Sequence, residues 1–376
     1  MIYSLKKISR VKKVLMALLV LTVAVALSGC QTFSFYGQAI KGQYSILFHQ
    51  EQIDKLVAGQ QTPAHLKQQL ELVGQLRSFA EQDLKLPVNG HYRKYVDVHR
   101  PYVVWNVEAA PEFSLEPKSW WYPLVGSLEY RGYFSESGAR DYAERLKKKG
   151  YDVYVGGATA YSTLGWFKDP ILNTFVFESE GDLAETIFHE LGHQRVFASG
   201  DTDFNEAFAT TVGQEGARRW LRAKGDAAAS SRYLDEIRRN NEFVRLIMST
   251  REELERLYRD ERTEDGKVKA TRVKRDVAEE PLRQEKRRIL ERLRRDYAQR
   301  KGQWGRNTEY DDWFGPQLNN AQLNSVAAYY DLVPGFQRLL ELNGGDLEKF
   351  YEASERLAKK PKPERQRFLR MPGKGD

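Results

Sequence analysis

The sequence has little cysteine and little histidine. It holds 1 cysteine and 6 histidines among 376 residues. A single cysteine cannot form an intramolecular disulfide, and zinc modules built on several cysteines are excluded for the same reason. The fold must therefore be held by its core. With 41% hydrophobic residues, a chain of this length can bury one large core or two smaller ones.

Long apolar runs are also scarce, and residues 14–27 form the only one in the sequence. One run of this kind excludes an array of membrane-spanning helices. The run is short and follows a cluster of basic residues, as in a secretory signal. We therefore predict that residues 1–29 are a signal peptide. Its removal takes away five positive charges and lowers the formal net charge from +7 to +2, so a nucleic-acid partner is not expected. The basic residues are Lys6, Lys7, Arg10, Lys12 and Lys13.

The predicted signal ends in Leu27-Ser28-Gly29-Cys30, which resembles the lipobox of bacterial lipoproteins. The resemblance implies cleavage before Cys30, lipid on its thiol and amine, and a membrane anchor there. An ordinary signal peptide with an unrelated cysteine is the alternative. Gln31, rather than an aspartate, follows the cysteine. By similarity to Gram-negative sorting, this residue implies the outer membrane, with the body of the protein facing the periplasm.

Two of the histidines stand four residues apart in the segment His189-Glu190-Leu191-Gly192-His193. In a helix this spacing places both imidazoles on one face, where they can bind one Zn²⁺ ion. Glu190 would stay off the metal and act as the base for a metal-bound water. A polar patch on a helix surface is the simpler alternative. Leu183, Ile187 and Leu191, however, form a stripe that predicts a buried helix.

A catalytic zinc site normally has a third protein ligand and an open position. A loop at 198–203, rich in Gly, Ser and Asp, precedes a second helical pattern that carries Glu206 in its first turn. If the two helices fold back on each other, His189, His193 and Glu206 can hold one ion. Asp201, Asp203 and Glu215 remain alternative ligands. An acidic residue is also favoured at a helix N-terminus without any metal.

With these residues the chain resembles a gluzincin metallopeptidase and, more closely, the bacterial family of predicted aminopeptidases. The flanking segments that carry the closer resemblance are residues 161–170, Asn319-Asn320-Ala321 with Tyr329, and Val333-Pro334-Gly335-Phe336. The resemblance implies hydrolysis of peptide substrates, with Tyr329 as a donor to the oxyanion; packing is the alternative role for this side chain. The Gly-x-Met-Glu-Asn signature of large gluzincin aminopeptidases is absent. Cleavage at the amino terminus and cleavage within the chain therefore both stay open.

The order of patterns predicts an α+β fold with a zincin-like mixed sheet. Residues 31–86 have helical patterns, and one of their apolar stripes contains Tyr44, Leu47 and Phe48. Strand patterns follow at 95–98, 102–107, 128–134 and 151–155, with a helix at 138–149. In such folds an edge strand beside the active-site helix binds the substrate backbone. Residues 161–167 or 174–177 are candidates for it.

Tyr161 lies on the first of these candidate strands and is a second possible donor to the oxyanion, although an aromatic side chain in a strand more often packs.

Residues 236–300 are dense in Arg, Lys and Glu. They predict two long antiparallel helices with a turn near Asp265, forming a solvated charged hairpin. A basic arm that contacts anionic lipid or a protein partner is the alternative.

These patterns divide the chain into five segments: the signal at 1–29, a helical segment at 30–90, the catalytic core at 91–225, the charged helical hairpin at 226–303 and a helical C-terminal lobe at 304–376. The predicted function is zinc-dependent peptide hydrolysis by a lipid-anchored periplasmic enzyme, of the aminopeptidase kind. A non-catalytic envelope lipoprotein with structural zinc, acting as a scaffold, is the alternative. Structural zinc needs four protein ligands, and the cysteines that usually supply them are lacking.

Overall fold

The computed structural model describes residues 35–122, 126–160, 167–260, 272–305, 310–315 and 317–371. The predicted signal peptide, Cys30, Tyr161 and the turn near Asp265 lie outside these ranges. The α+β class is confirmed, since small sheets are combined with many helices and a helical C-terminal part. In the described part of the chain, no helix has the length and apolar character needed to span a membrane.

The N-terminal part is helical, as predicted. Helix α1 covers residues 35–48, α2 covers Ile53–Ala58 and α3 covers Ala64–Gln82. The stripe predicted for the first of these helices is wrong at two positions, because Tyr44 and Phe48 are exposed. Phe35 and Ile46 are buried in their place. The helix therefore packs on the body with a different face from the one that the apolar pattern indicates.

The strands form three small sheets. The longest strands, β3 (Val104–Pro111) and β7 (Tyr151–Ala158), pair antiparallel, and β6 (Arg131–Tyr133) pairs antiparallel with the other edge of β3. A second, mixed sheet joins β1 (Glu51–Gln52), β2 (Lys94–Val96) and β8 (Ile171–Leu172). The third is a hairpin of β4 (Trp120–Tyr122) and β5 (Gly126–Leu128).

Strand β3 separates a core face from a polar face. Trp105, Val107 and Ala109 are buried against α4 (Glu136–Lys147), which covers this side of the sheet. Asn106 and Glu108 alternate with them and are only partly buried. Since successive side chains of a strand point to opposite faces, Asn106 and Glu108 project away from α4.

Residues 174–177, a candidate for the substrate-binding edge strand, form turns instead. The backbone N–H groups of Phe175 and Val176 both donate to the carbonyl of Leu172, which is a local turn and not a strand ladder. Phe175 and Val176 are buried in the main core. Their apolar character therefore reflects packing.

The remaining chain is helical. Helix α5 covers Glu180–Arg195 and α6 covers Thr202–Lys224. The charged region forms α7 (Ala227–Asp260) and α8 (Arg272–Gln303). Five shorter helices follow: α9 (Asp311–Phe314), α10 (Asn320–Tyr330), α11 (Val333–Leu342), α12 (Leu347–Ala358) and α13 (Lys362–Arg370).

The two long helices of the charged region run antiparallel, as predicted. Glu242, near the middle of α7, accepts a hydrogen bond from Trp304 just after the end of α8, and Glu253, further along α7, pairs with Arg292 of α8. The hairpin of α7 and α8 is not fully solvated, contrary to the prediction, but has a buried side. Ile247, Leu254 and Leu293 are almost fully buried in a cluster that also includes residues of α9 and α10. The hairpin therefore supports α10 from one side.

Candidate metal centre

Helix α5 presents the two histidines of the predicted motif on one face. Its first turn is capped by Ser179, whose hydroxyl oxygen accepts a hydrogen bond from the N–H of Asp182. Leu183, Ile187 and Leu191 are fully buried, as the sequence pattern predicts. The stripe orients the helix, so that His189 and His193 face α6 at its first turns.

Small residues let α5 and α6 approach closely. A Cβ atom on Gly192 would lie 3.4 Å from the Cα of Ala209, and one on Gly213 would lie 2.8 Å from the carbonyl oxygen of Glu185 and 3.2 Å from the Cβ of His189. No larger residue fits at position 213 without movement of the backbone. The two helices are therefore close enough for side chains on both to reach one point.

The loop between the helices is fixed by the start of α6. The side-chain amide of Asn205 accepts a hydrogen bond from the Ala198 N–H at 2.7 Å and donates one to the Ala198 carbonyl at 2.9 Å. The Asp201 carboxylate caps α6. Both contacts set the first turn of α6 against the end of α5, and Glu206 follows directly.

Three donor atoms converge at this point. The Nε2 atoms of His189 and His193 are 3.2 Å apart, and the Oε2 atom of Glu206 lies 3.3 Å from the first and 3.5 Å from the second. In a tetrahedral zinc site with ligand distances of about 2.0–2.1 Å, neighbouring ligand atoms are about 3.3–3.4 Å apart. The residues present therefore fit a single zinc ion, and these three form a group that could hold a metal.

The chemistry of the donors also suits a cation. Neutral imidazoles whose Nε2 lone pairs face each other and a carboxylate repel unless positive charge lies between them. Burial lowers the pKa of His189, whereas for His193 the carboxylates of Glu206 and Glu190 outweigh burial and raise the pKa. Burial raises the pKa of Glu206, but the two imidazoles lower it well below the ordinary value. In the part of the chain that the structure describes, the buried Nδ1 atom of His193 has no hydrogen-bond partner.

Glu190 lies beside this group but outside it. Burial raises the pKa of Glu190 to about 8, and the carboxylates of Glu206 and Asp169 add to the rise while His193 opposes it. Its Oε2 atom is buried and has no hydrogen-bond partner among the described residues. The carboxyl group lines the same cleft as the two histidines. A free carboxyl oxygen next to the donor atoms is the arrangement that a general base requires.

The alternative ligands for the third position are engaged elsewhere or lie outside the group. Asp201 forms a buried ion pair with Arg365. Glu215 is paired with Arg218 and Arg219 on its own helix. Burial and the Glu129 carboxylate raise the pKa of Asp203 to about 7, and Lys362 opposes the rise. Asp203 is not part of the donor group. Of the acidic residues considered from the sequence, Glu206 is the one whose oxygen reaches both histidines.

The donor group opens into a cleft of about 1020 Å³ between the sheet and the helices. Tyr329 of α10 forms part of its wall, with its ring nearly parallel to that of His189 and the ring centroids 6.2 Å apart. Glu206 and burial raise the pKa of Tyr329 well above the ordinary value, so its hydroxyl stays protonated and can donate. The adjacent Tyr330 also lines the cleft.

Two asparagines of the segment that resembles the family fix α10 in place. Asn319 caps the helix and donates to the Val153 carbonyl of β7 at 3.1 Å. The side-chain amide of Asn320 donates to the carbonyls of Pro111, Glu112 and Ser114 at the end of β3, each at 3.0 Å. These contacts hold Tyr329 over the donor group from a distant part of the chain.

Sequence reasoning missed two further residues of the cleft, Glu108 and Tyr130. Burial raises the pKa of Glu108 to about 8, with a smaller contribution from Glu129. Within the described residues, no hydrogen bond or ion pair satisfies its carboxyl group. One signal could have revealed it, since an acidic residue inside the apolar strand pattern of β3 is unusual and implies a special environment.

A search of curated proteins and a search of solved structures find no match. A protein-family model described as "Putative aminopeptidase" matches residues 34–369. This match spans nearly all of the described chain, including the donor group, Glu108 and Tyr329. The protein therefore belongs to this family.

Proposed function

We propose that the protein is a zinc-dependent metallopeptidase of the gluzincin type. The observation that carries the proposal is the triangle of His189 Nε2, His193 Nε2 and Glu206 Oε2, whose sides match those of a tetrahedral zinc site. Three protein ligands leave a fourth position open, as in catalytic sites. Family membership supports peptide-bond hydrolysis as the reaction.

When bound, zinc would polarise the scissile carbonyl and acidify a water molecule. His189, His193 and Glu206 would hold the ion. Glu190 would accept the proton of that water and deliver it to the leaving amine, because its free oxygen lies in the cleft beside the donors. Tyr329 would donate a hydrogen bond to the oxygen that becomes negatively charged.

Glu108 favours removal of amino-terminal residues over internal cleavage. A peptide that is cut after its first residue carries its ammonium group one residue from the scissile carbonyl. The carboxyl group of Glu108 lines the cleft and contributes, after Glu206 and burial, to the raised pKa of Tyr329, whose ring in turn faces His189. An ammonium group would supply the counter-charge that Glu108 lacks. We assign the amine site to Glu108.

The proposal also includes the cellular location of the enzyme. A lipid on Cys30 would tether the enzyme to the periplasmic face of the outer membrane, and peptides in the periplasm would be its substrates. The lipobox-like segment and the basic, apolar segment before it support this location.

The zinc and the base are tested together by metal analysis and peptide hydrolysis. Glu190→Gln should bind one zinc ion per chain and lose at least about 100-fold in kcat, because it removes the base and no ligand. His189→Ala should lose both zinc and activity. Glu215→Gln is the matched control, since this glutamate lies on α6 but outside the cleft wall, and it should retain both.

Turnover by the zinc-loaded Glu190→Gln protein would refute the role of this base, and stoichiometric zinc in His189→Ala would refute the ligand set. The scaffold alternative would be supported if the wild-type protein bound zinc but cleaved no member of a mixed peptide library with or without chelator.

A further inference from the structure

Helix α1 exposes a row of large apolar side chains. Tyr36, Ile40, Tyr44 and Phe48 recur at every fourth position and are 37%, 68%, 57% and 65% exposed. Single exposed apolar residues are ordinary on protein surfaces, but a continuous row along one helix marks an interaction site. The rings of Tyr44 and Phe48 stack on each other at 3.9 Å, which makes the row continuous at its C-terminal end.

The opposite face of α1 is fixed to the body, so the row cannot turn inward. The Phe35 ring packs against Tyr133 at 5.4 Å, and the side-chain oxygen of Gln38 accepts a hydrogen bond from the Phe134 N–H at 2.8 Å. Gly42 lies directly on the Phe134 ring, where no Cβ atom fits. Ile46 is 2% exposed. The orientation of the helix is therefore set by packing, and the apolar row faces outward.

The start of the chain indicates what covers this row. Only residues 31–34 separate Cys30 from Phe35, the first described residue of α1, and five residue steps span at most about 18 Å. The helix itself, at 1.5 Å per residue, is about 21 Å long. A lipid on Cys30 would thus keep the start of α1 within about 18 Å of the membrane surface and its far end within about 39 Å.

The composition of the exposed face suits that surface. Two of its four large side chains are tyrosines, which prefer the boundary between headgroups and acyl chains. Lys41 is exposed beside them and can place its amine among anionic headgroups while its stem stays in the apolar layer. An amphipathic helix of this size binds lipid weakly by itself. Tethering makes the contact intramolecular and raises its occupancy.

We propose that α1 is an interfacial helix that lies on the lipid bilayer through Tyr36, Ile40, Tyr44 and Phe48. The inference rests on the proposed lipid anchor at Cys30 and is independent of the zinc chemistry. Its consequence concerns access to the site. Ala39 and Gln43, on the body side of α1, line the cleft, so the contact holds the cleft mouth beside the membrane.

The test uses the full chain, purified from bacterial membranes and reconstituted in vesicles of phosphatidylethanolamine and phosphatidylglycerol. Cys30 is the only cysteine, and its thiol would carry lipid, so Ile40→Cys can be labelled at one site with an environment-sensitive fluorophore. Leu342→Cys is the matched control, because this leucine is 72% exposed on α11. Nitroxide-labelled lipids then quench any fluorophore that lies in the bilayer.

We expect lipid quenching at position 40 to be at least about threefold stronger than at position 342, with emission shifted to the blue. Equal, weak quenching at both positions would overturn the interfacial helix while leaving the anchor intact. Blue-shifted emission at position 40 without lipid quenching would also overturn it, since a second copy or the chain's own N-terminal segment would then cover the row.

Flotation of the unlabelled wild-type chain with vesicles, together with its reactivity toward a thiol reagent, separates the two proposals. A chain that stays in solution and carries a reactive thiol would refute the anchor and, with it, the interfacial helix. The Ile40→Ser/Phe48→Ser variant provides an independent readout. It should float with vesicles and hydrolyse a soluble peptide like wild type, but a fluorophore at position 44 should lose at least half of its lipid quenching.

Discussion

Glu190 and Glu206 are carboxyl groups of one site whose surroundings give them different proton affinities. Two imidazoles lower the pKa of Glu206 despite its burial, whereas burial raises the pKa of Glu190 to about 8. A ligand must be ionised, and a base must bind the proton that it accepts, so the higher proton affinity of Glu190 matches the proposed roles. Local spacing alone identified both residues in the sequence, because the motif and the first turn of the next helix lie close along the chain.

The place of Glu108 in the cleft could not be predicted from the sequence. Its place in the cleft depends on the pairing of β3 with β7 and on α10, which lies about two hundred residues away in the chain. No local spacing encodes such a contact. The strand predicted from the sequence, 102–107, ends one residue before Glu108, whereas β3 extends to Pro111.

Glu108→Gln should reduce kcat/KM for peptides with a free amino terminus by at least about tenfold, because the ammonium group loses its charged partner. The same peptides with an acetylated amino terminus serve as the control, and their slow cleavage should not change. The ratio of the two kcat/KM values, measured for the wild type and the variant, isolates the amine contact. An equal loss on both substrates would assign Glu108 a structural role.

Glu185 should make stability depend on pH. Burial raises the pKa of Glu185 to about 7, although its Oε2 atom accepts a hydrogen bond from Tyr233 at 2.5 Å. The folded state therefore holds this proton more tightly than the unfolded state does, and stability is lost as the pH rises from about 4.5 to 7. Glu185→Gln keeps an acceptor for Tyr233 and removes the titration.

Relative to the wild type, Glu185→Gln should gain stability with increasing pH, by up to about 3 kcal/mol above pH 7, and show no gain near pH 4. Urea unfolding of both proteins at pH 4, 6 and 8 measures the difference. A difference that is constant over this range would mean that Glu185 has the same pKa in the folded and unfolded states.

At the scale of elements, the close contact of α5 and α6 is what assembles the donor group. Gly213→Ala would place a methyl group 2.8 Å from the Glu185 carbonyl oxygen and 3.2 Å from the Cβ of His189. The helices must then separate, so we expect zinc affinity to fall at least about tenfold and stability by about 1–3 kcal/mol. Competition with a chelator of known affinity and urea unfolding measure the two effects.

Gly74→Ala is the control for the helix propensity of alanine, because Gly74 also lies inside a helix and has nothing within 4 Å of its Cβ position. It should leave zinc affinity unchanged and stabilise the protein by about 0.5–1 kcal/mol. If both variants behaved alike, close packing at position 213 would not control the donor geometry.

Helices and strands with strong periodicity were predictable, and the faces that they bury were less so. The alternation at 174–177 and the stripe at Tyr44 and Phe48 follow apolar patterns, yet the first segment is a turn and the second is exposed. An apolar pattern indicates that a side chain avoids water. It does not tell whether another part of the chain or a separate partner excludes the water.

At the scale of the whole molecule, the C-terminal helices contact the loop that precedes α6, the helix that carries Glu206. Arg365 of α13 donates to Oδ2 of Asp201 through both Nε and Nη2, each at 2.8 Å, and the Asp201 side chain is fully buried. Lys362 lies 3.5 Å from the other oxygen. This ion pair ties the end of the described chain to the residue that caps α6.

Arg365→Met should cost about 3 kcal/mol of unfolding free energy, because it leaves a buried carboxylate with Lys362 as its only remaining cation among the described residues. Arg370→Met is the control. Arg370 also lies on α13, and its loss breaks a pair with Asp331, the residue after α10. Arg370 is half exposed, and surface pairs contribute less than about 1 kcal/mol. Urea unfolding with saturating zinc and with chelator measures both variants. If the contact between Arg365 and Asp201 positions α6, Arg365→Met should also weaken zinc binding, whereas Arg370→Met should not. Equal losses of unfolding free energy in the two variants would show that burial of the ion pair is unimportant.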